Sequence, residues 1–404
     1  MLVACACARA VAPVITPTAL PTTAPPTALP IQATDVPLAT VPSPTPGATP
    51  TEPSLFAPVT AADWQIGPPD AVATITEYSD FQCPYCANLQ LVLAQLRQEF
   101  PSDVRIVFRH YPLPQDDKAR LAAAAAEAAG AQGKFWQMHD RLFADQATWT
   151  TMTQTDFRAQ LDQYATDLAL DRSQFDSDLD SPATAAKVEA AYAQALNIPL
   201  PGAPFVLFNG APVADQGLTN HWALSTLVRL EKLKTRQFRT PPPDIIDPFK
   251  SYVATLKTAK GDIVIQLYAD KTPLTVNNFV FLAQHGWYDG ITFHRVITGF
   301  AAQTGDPSGT GYGGPGYFIP DEIVPELKYD GPGWVGMSNA GPDTNGSQFF
   351  ISLGALPQYD GKYTLFGKVV SGMAVVESLT PRDPNLNAEA PPGDIVQTIT
   401  IEEK

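Results

Sequence analysis

The spacing of apolar positions changes along the chain and predicts the order of its elements. Residues 71–76 have the apolar and β-branched composition of a strand. The residues that follow place apolar side chains on one face of a helix: Leu89, Val92, Leu93, Leu96 and Phe100. Two further strands are predicted at residues 104–108 and 205–208, and the alanine-rich and amphipathic stretch from 118 to 196 predicts a block of helices between them. This order indicates an α/β region.

The last part of the chain has the shorter period of strands. Residues 252–256 and 262–268 alternate apolar and polar side chains and predict a pair of strands. Thr272 and Pro273 predict the start of a helix, with the threonine as its cap, and Gly286 predicts its end. Short strands and glycine-rich turns follow. Many strands with one or two helices predict a closed, mainly β barrel.

Proline-rich segments separate these regions. Residues 11–61 contain thirteen prolines and no lysine or arginine, and this composition predicts an extended, disordered tether. A second proline-rich segment, at residues 239–248, predicts a short and stiff linker. We therefore expect an α/β domain at residues 62–238 and a mainly β domain at residues 249–404. A chain of 404 residues is long enough for two such cores.

Residues 1–10 have the features expected at the end of a signal peptide. The segment Leu2-Val3-Ala4-Cys5 resembles the lipobox of bacterial lipoproteins, in which the cysteine is lipidated. Because a tether follows it directly, Cys5 is a candidate for lipidation. The protein is then expected outside the cytoplasm, in the bacterial cell envelope, as a lipoprotein or a secreted protein. The alternative is a disordered tail.

The charge of the chain restricts its partners. The formal net charge is −15 and the pI is near 4.7, so the phosphates of a nucleic acid would be repelled. The sequence contains no run of about 18 apolar residues of the kind that predicts a membrane-spanning helix.

Two cysteines lie at the start of the predicted helix in the α/β region. Cys83 and Cys86 form a Cys-Pro-Tyr-Cys motif. The dipole and free N–H groups of a helix N-terminus favour a thiolate, so we predict Cys83 as the attacking thiol and Cys86 as the resolving thiol of a redox disulfide. A zinc site would need two further ligands, and the five histidines are scattered. A structural disulfide and a Cu(I) site stay open as alternatives.

The order of elements around this motif resembles the thioredoxin-like oxidoreductases of the DsbA type. The resemblance is carried by residues 80–86, 108–113 and 133–139. It implies a thioredoxin-like fold with a helical insertion at about 115–196. It also implies that Pro204 is a cis-proline that faces the cysteines and binds the substrate backbone. Ala203 stands before it, where threonine or valine is commoner in the family, and this leaves the redox potential open.

The mainly β region resembles the cyclophilin family of peptidyl-prolyl isomerases. The resemblance covers about residues 250–404 and is carried by residues 293–303, 309–311, 338–350, 360–367 and 372–373. It implies a cyclophilin-like barrel with Arg295 as its catalytic residue. The residues that it implies for substrate binding are Phe300, Gln303, Ser338, Asn339, Gln348, Phe350 and Tyr363.

Isomerisation of an X-Pro bond needs neither a nucleophile nor a proton shuttle. Amide resonance sets a barrier of ~18–20 kcal/mol, and a catalyst must prefer the twisted state, in which the nitrogen lone pair accepts a hydrogen bond. We expect Arg295 to donate this bond. Phe300 and Phe350 are expected to wall the proline pocket. Gln303 is expected to orient Arg295 or hold the substrate carbonyl, and Asn339 to pair with the substrate backbone.

Three positions depart from the cyclophilin pattern. Ala301 stands where methionine is usual, Gln358 where tryptophan is common, and Tyr363 where histidine is common. The first two changes are expected to weaken cyclosporin-type binding more than catalysis. His294, beside Arg295, is expected to be structural rather than a base. An inert barrel kept as an interaction module is the alternative to an active isomerase.

Together, the two regions predict a bifunctional folding factor for exported proteins. Disulfide exchange and X-Pro isomerisation are both slow folding steps, and tethering raises the local concentration of the second activity on a client held by the first. The expected partners are unfolded or partly folded exported polypeptides and an unknown redox partner. No nucleic acid, cofactor or metal is expected. The alternatives are a lipid-anchored holdase without turnover and a Cu(I)-handling thioredoxin-like protein.

Overall fold

The computed structural model describes residues 55–198, 200–213, 219–384, 386–387 and 390–404. The lipidation candidate Cys5 and most of the predicted tether lie outside the described residues. Within the described residues, no helix combines the length and the apolar composition needed to cross a membrane.

The first region is built on a five-stranded mixed sheet. Its strands are β1 (Trp64–Ile66), β2 (Ala73–Ser79), β3 (Val104–His110), β4 (Phe205–Phe208) and β5 (Ala211–Pro212). Their order across the sheet is β1-β3-β2-β4-β5, in which β2 and β3 are parallel and the other pairs are antiparallel. Strand β2 is buried along its whole length, as expected for a central strand that is covered on both faces.

Helices cover this sheet and form the predicted insertion. They are α1 (Pro84–Glu99), α2 (Ala119–Ala131), α3 (Phe135–Ala144), α4 (Gln146–Trp149), α5 (Gln154–Asp167), α6 (Arg172–Leu179), α7 (Pro182–Leu196) and α8 (His221–Leu233). Leu89, Leu93 and Leu96 of α1 pack with α8 and the sheet in one core, which confirms the predicted apolar face. Helices α2 to α7 lie between β3 and β4 in the chain, where the block of helices was predicted.

The second region is a curled antiparallel sheet of nine strands. They are β6 (Tyr252–Thr258), β7 (Gly261–Leu267), β8 (Ile291–Thr292), β9 (Arg295–Ile297), β10 (Ala301–Thr304), β11 (Trp334–Met337), β12 (Phe349–Ser352), β13 (Leu365–Ser371) and β14 (Ile395–Glu403). The order is β8-β14-β6-β7-β13-β11-β12-β10-β9. The end strands β8 and β9 are joined by residues 293 and 294. The predicted α/β region followed by a mainly β barrel is confirmed.

Among the residues that the structure describes, two α-helices accompany this sheet, α9 (Pro273–Gln284) and α10 (Met373–Glu377). Helix α9 begins at Pro273 as predicted, but Thr272 does not cap it. The Thr272 hydroxyl donates to the Tyr268 carbonyl oxygen at 3.2 Å instead. The carboxylate of Glu322 accepts from the N–H groups of Leu274 (3.1 Å) and Thr275 (2.7 Å). An acid at this end of a helix is favoured by the helix dipole.

The proline-rich segment between the two regions is bound to the second region. The N–H of Phe238 donates to the Pro315 carbonyl oxygen at 2.8 Å, and the Phe238 ring packs against the second core. The Asn277 side chain of α9 accepts from the N–H groups of Ile245 (2.8 Å) and Ile246 (3.3 Å). It also donates to the Pro243 carbonyl oxygen at 3.0 Å. The segment predicted as a linker is therefore held by hydrogen bonds.

We expect the substitution Asn277→Ala to release this segment. The change removes the hydrogen bonds between the Asn277 side chain and the backbone of residues 243–246, and each such bond contributes ~0.5–1.5 kcal/mol. The free energy of unfolding of the second region should fall by about 2 kcal/mol, and limited proteolysis between residues 239 and 248 should become faster. Lys257→Ala, at an exposed position of β6, is the control. Equal cleavage rates in wild type and Asn277→Ala would contradict the role given to Asn277.

Candidate functional sites

The cysteine motif lies where strand β2 passes into helix α1. Cys83 is the N-cap of α1, with φ −73° and ψ 122°, and Pro84 takes the first helical position. Both cysteines are free thiols, and Cys83 keeps 5% of its surface exposed while Cys86 keeps none. Of the two sulfur-bearing residues, Cys83 is therefore the one that keeps some contact with solvent, and Cys86 is fully buried.

The loop before β4 lies against the Cys83 sulfur. The Cys83 Sγ lies 3.4 Å from the Ala203 carbonyl oxygen, to which the thiol donates only while it is protonated, and the Ala203–Pro204 peptide bond is cis. Gln146, from the helical insertion, donates from Nε2 to the carbonyl oxygens of Phe81 (2.7 Å) and Cys83 (2.9 Å). The insertion thus holds the backbone of the motif, a role for Gln146 that was not predicted from the sequence.

The surroundings separate the pKa values of the two thiols. A hydrogen bond from the Cys86 thiol, supported by the backbone N–H groups of Cys86 and Tyr85, lowers the pKa of Cys83 to about 6 against the opposing effect of burial. Burial raises the pKa of Cys86, and the neighbouring Cys83 raises it further. At neutral pH Cys83 is a thiolate and Cys86 keeps its proton. This is the arrangement of an attacking and a resolving thiol.

Two buried carboxyl groups behind the thiols were not predicted from the sequence. Glu77 of β2 accepts from Gln90 Nε2 at 2.8 Å, and the same Gln90 nitrogen lies 3.5 Å from the Cys86 carbonyl oxygen. The Asp80 N–H donates to Cys86 Sγ at 3.4 Å. Burial raises the pKa of Glu77 and the pKa of Asp80 to about 7. The signal in the sequence that could have identified Glu77 is an acidic residue within the strand β2.

Glu77 makes the stability of the first region depend on pH. Burial raises its pKa from the ordinary value of 4.5 to about 7, so the folded state binds the proton more tightly than the unfolded chain. Stability therefore falls as the pH rises from 4.5 through about 7. The variant Glu77→Gln keeps an acceptor for Gln90 and carries no charge. We expect denaturant unfolding to show a gain of roughly 3 kcal/mol over wild type at pH 8 and almost none at pH 4.

The control for this measurement is Glu189→Gln, at an exposed ion pair with Arg120. It should show no gain between pH 4 and pH 8. If the difference between Glu77→Gln and wild type were independent of pH, Glu77 would not be the titrating group.

In the second region, the strand register aligns a cation, an amide and an aromatic ring. Arg295 of β9 lies opposite Gln303 of β10, and Gln303 lies opposite Phe350 of β12. Side chains at opposite positions of antiparallel strands share one face of the sheet. The next strand places Gly336 opposite Phe350, and a Cβ at Gly336 would lie 2.0 Å from the Tyr329 Oη. Glycine at this position therefore leaves room for the aromatic rings.

Side-chain amides fix the centre of this row. Gln303 Nε2 donates to Ser338 Oγ and to Gln348 Oε1, both at 3.0 Å. Gln348 Nε2 in turn donates to the carbonyl oxygens of Gly311 and Gly313, both at 2.9 Å. These contacts orient the Gln303 side chain, while Arg295 has a separate partner in Asp383. The Arg295 Nε lies 3.2 Å from the Asp383 Oδ2.

Apolar side chains, several of them aromatic, form a cluster beside the row, which we call the aromatic cluster. Its buried members are Ala301, Tyr329, Phe350, Leu356 and Leu365, and Phe300, Tyr359 and Tyr363 pack against them partly buried. Tyr359 was not predicted, although it precedes Tyr363 by four residues. Its ring centroid lies 5.8 Å from that of Phe300, 5.6 Å from that of Phe350 and 4.5 Å from that of Tyr363. Tyr359 therefore connects the rings that were predicted to wall the pocket.

The side chain of Asn339 holds the loop that carries it. Its Nδ2 donates to Asp321 Oδ1 and to Asn345 Oδ1, both at 3.2 Å, and its Oδ1 accepts from the Gly341 N–H at 3.4 Å. The amide of Asn339 is thus engaged within the protein, and its backbone is the part left for the substrate contact that was predicted for this residue.

Comparisons with known proteins assign both regions to families. The family model described as thioredoxin matches residues 60–222. The model described as cyclophilin type peptidyl-prolyl cis-trans isomerase matches residues 253–401. The probable peptidyl-prolyl cis-trans isomerase A of Mycobacterium bovis is 43% identical over 171 residues, which cover 38% of this chain and 94% of that protein. The chain belongs to the cyclophilin family. It joins a cyclophilin domain to a thioredoxin-like domain.

Further relatives match the cyclophilin domain. Peptidyl-prolyl cis-trans isomerase-like 1 of Rhizopus delemar is 51% identical over 127 residues, which cover 31% of this chain and 77% of that protein. The crystal structure of a cyclophilin type peptidyl-prolyl cis-trans isomerase of Cryptosporidium parvum is 37% identical, with a TM-score of 0.36. The match covers 39% of the present chain and 99% of the Cryptosporidium parvum chain.

Proposed function

We propose that this protein is a bifunctional folding factor, with a peptidyl-prolyl cis-trans isomerase site in its cyclophilin domain and a thiol-disulfide oxidoreductase site in its thioredoxin-like domain. Its substrates are unfolded or partly folded exported polypeptides. The observation that carries the isomerase activity is the row of Arg295, Gln303 and Phe350 beside the aromatic cluster. A location in the bacterial cell envelope is supported by the lipobox-like segment at Cys5.

The isomerase site needs only non-covalent interactions with the X-Pro peptide. The aromatic cluster takes the proline ring, which leaves water when it binds. The guanidinium of Arg295 donates to the proline nitrogen when the peptide bond twists and the lone pair localises there. Gln303, held by Ser338 and Gln348, presents its amide beside this cation. Because the N–H donors of the guanidinium are fixed before the substrate binds, they favour the twisted state over the planar ground state.

The substitution Arg295→Ala tests this assignment. It removes the donor that stabilises the twisted state, and we expect kcat/KM for a proline-containing peptide to fall by roughly 10²–10³-fold. Reactivity of the thiols should be unchanged. Lys271→Ala, which removes an exposed cation of the same domain, is the control. An Arg295→Ala variant with full isomerase activity would show that this row is not the active site.

The thiol site exchanges a disulfide in two steps. The Cys83 thiolate attacks one sulfur of a client disulfide, forms a mixed disulfide and releases the other client sulfur as a thiolate. Cys86 then loses its proton and attacks Cys83, which closes the Cys83–Cys86 disulfide and releases the reduced client. The reverse sequence oxidises a client dithiol. The lowered pKa of Cys83 stabilises the reduced form of the pair, and this supports oxidation of clients as the favoured direction.

The hydrogen bond from the Cys86 thiol, which lowers the pKa of Cys83, can be tested by alkylation. The rate at which iodoacetamide alkylates Cys83, followed by peptide mapping, should rise with pH around a midpoint near 6 in the reduced protein. Cys86→Ala removes the hydrogen bond that chiefly lowers this pKa and should move the midpoint upward. Cys86→Ser keeps a donor and should move it less. Equal midpoints in all three proteins would contradict the role given to the Cys86 thiol.

Cys83→Ser should abolish oxidoreductase activity and leave isomerase activity intact.

A further inference from the structure

A carboxylate from the C-terminal part of the chain binds the proposed catalytic arginine. The Arg295 Nε lies 3.2 Å from the Asp383 Oδ2. The Asp383 side chain is 12% exposed and the Arg295 side chain 33% exposed. Because the acid is largely covered, water and salt weaken this ion pair less than they weaken a pair on the open surface.

The backbone brings these two side chains together. The Val296 N–H donates to the Arg382 carbonyl oxygen at 2.8 Å, and the Arg382 N–H donates to the Val296 carbonyl oxygen at 2.9 Å. This bridge places the residues next to it, Arg295 and Asp383, in neighbouring positions. Pro384 follows Asp383 and restricts the backbone of Asp383 to extended conformations. The approach of the carboxylate to the guanidinium is therefore set by the main chain.

The segment that carries Asp383 is fixed at its two ends. The Asp394 carboxylate accepts from the Thr380 N–H at 2.6 Å and from Lys260 Nζ at 3.1 Å. The Phe293 N–H donates to the Asp394 carbonyl oxygen at 2.9 Å. A Cβ at Gly393 would lie 2.8 Å from Arg382 Nη1, so the glycine leaves room for that side chain. The chain on both sides of Asp383, at residues 380–382 and 393–394, is thus held against the barrel.

We propose that Asp383 is a positioning residue for the isomerase reaction, which holds the Nε edge of the Arg295 guanidinium and so aims its two terminal nitrogens at the bound X-Pro peptide. This inference rests on the proposed isomerase function. A guanidinium is planar, and its five N–H groups have fixed directions. A carboxylate that binds one N–H therefore fixes the directions of the other four and limits the rotamers of a long, flexible side chain.

Two substitutions at Asp383 separate positioning from other roles. Asp383→Ala leaves Arg295 without its Nε partner, and we expect kcat to fall roughly tenfold with little change in KM, because a misplaced donor acts on the transition state. Asp383→Asn keeps an oxygen that accepts the same N–H and should retain most of the activity. Asp270→Ala, which removes an exposed acid of the same domain, is the control. A loss confined to KM, or equal losses in Asp383→Ala and Asp383→Asn, would overturn the inference.

A double-mutant cycle tests whether Asp383 acts through Arg295. Lysine has no nitrogen at the position of Nε, so in the Arg295→Lys background the further change Asp383→Ala should alter the residual kcat less than about twofold. A merely structural role would lower the activity by the same factor in both backgrounds, and that result would overturn the inference.

The ion pair between Arg295 and Asp383 can also be detected independently of catalysis. In NMR spectra of the full chain, the Arg295 Nε–H should exchange with water slowly in wild type and Asp383→Asn and faster in Asp383→Ala. Equal exchange rates in all three would show that Asp383 does not hold the guanidinium. Slow exchange in a wild-type protein without isomerase activity would overturn the proposed function, and with it the positioning role.

Discussion

Both sites depend on one physical constraint, which is that a charge at the edge of a buried core must be compensated by hydrogen bonds that the fold itself supplies. The Cys83 thiolate is stabilised by the Cys86 thiol and by backbone N–H groups at the start of α1. The Arg295 guanidinium is bound by Asp383. A partly buried charge without such partners is unfavourable, and the fold provides them through a helix N-terminus in one domain and through the backbone bridge between Val296 and Arg382 in the other.

The parts of the two sites that could be predicted from the sequence are those set by local structure. Cys83 and Cys86 share one helical turn, so the helical period after them was enough to place Cys83 at the N-terminus of α1. The partners of these residues come from distant parts of the chain. Gln146 reaches the motif from the helical insertion, and Asp383 reaches Arg295 across a backbone bridge. Neither approach leaves a periodic pattern in the sequence, so neither could be predicted.

The same limit applies to the ends of elements and to the linker. Thr272 has the residue type and position of a helix cap, but the backbone N–H groups of α9 are bound by Glu322 instead. Composition predicted a linker at 239–248, and the hydrogen bonds from Asn277 that bind it depend on where α9 lies in the fold. A linker bound in this way leaves less free chain between the domains than its length indicates. The local concentration that each site presents to a shared client depends on that free length.

The two chemistries also respond differently to pH, because the charges that they use differ in kind. The proposed isomerase site uses a guanidinium, a group whose charge is permanent in proteins. Burial lowers the pKa of the adjacent His294 to about 4, so this residue stays neutral above that pH and adds no charge beside Arg295. The thiol site contains groups with pKa values of about 6 and 7, at Cys83 and at the buried carboxyl of Glu77. A fall in pH below 6 therefore protonates Cys83 and leaves the charge of the guanidinium as before. Of the two activities that we propose, the thiol chemistry would follow the acidity of the surroundings and the isomerase chemistry would not.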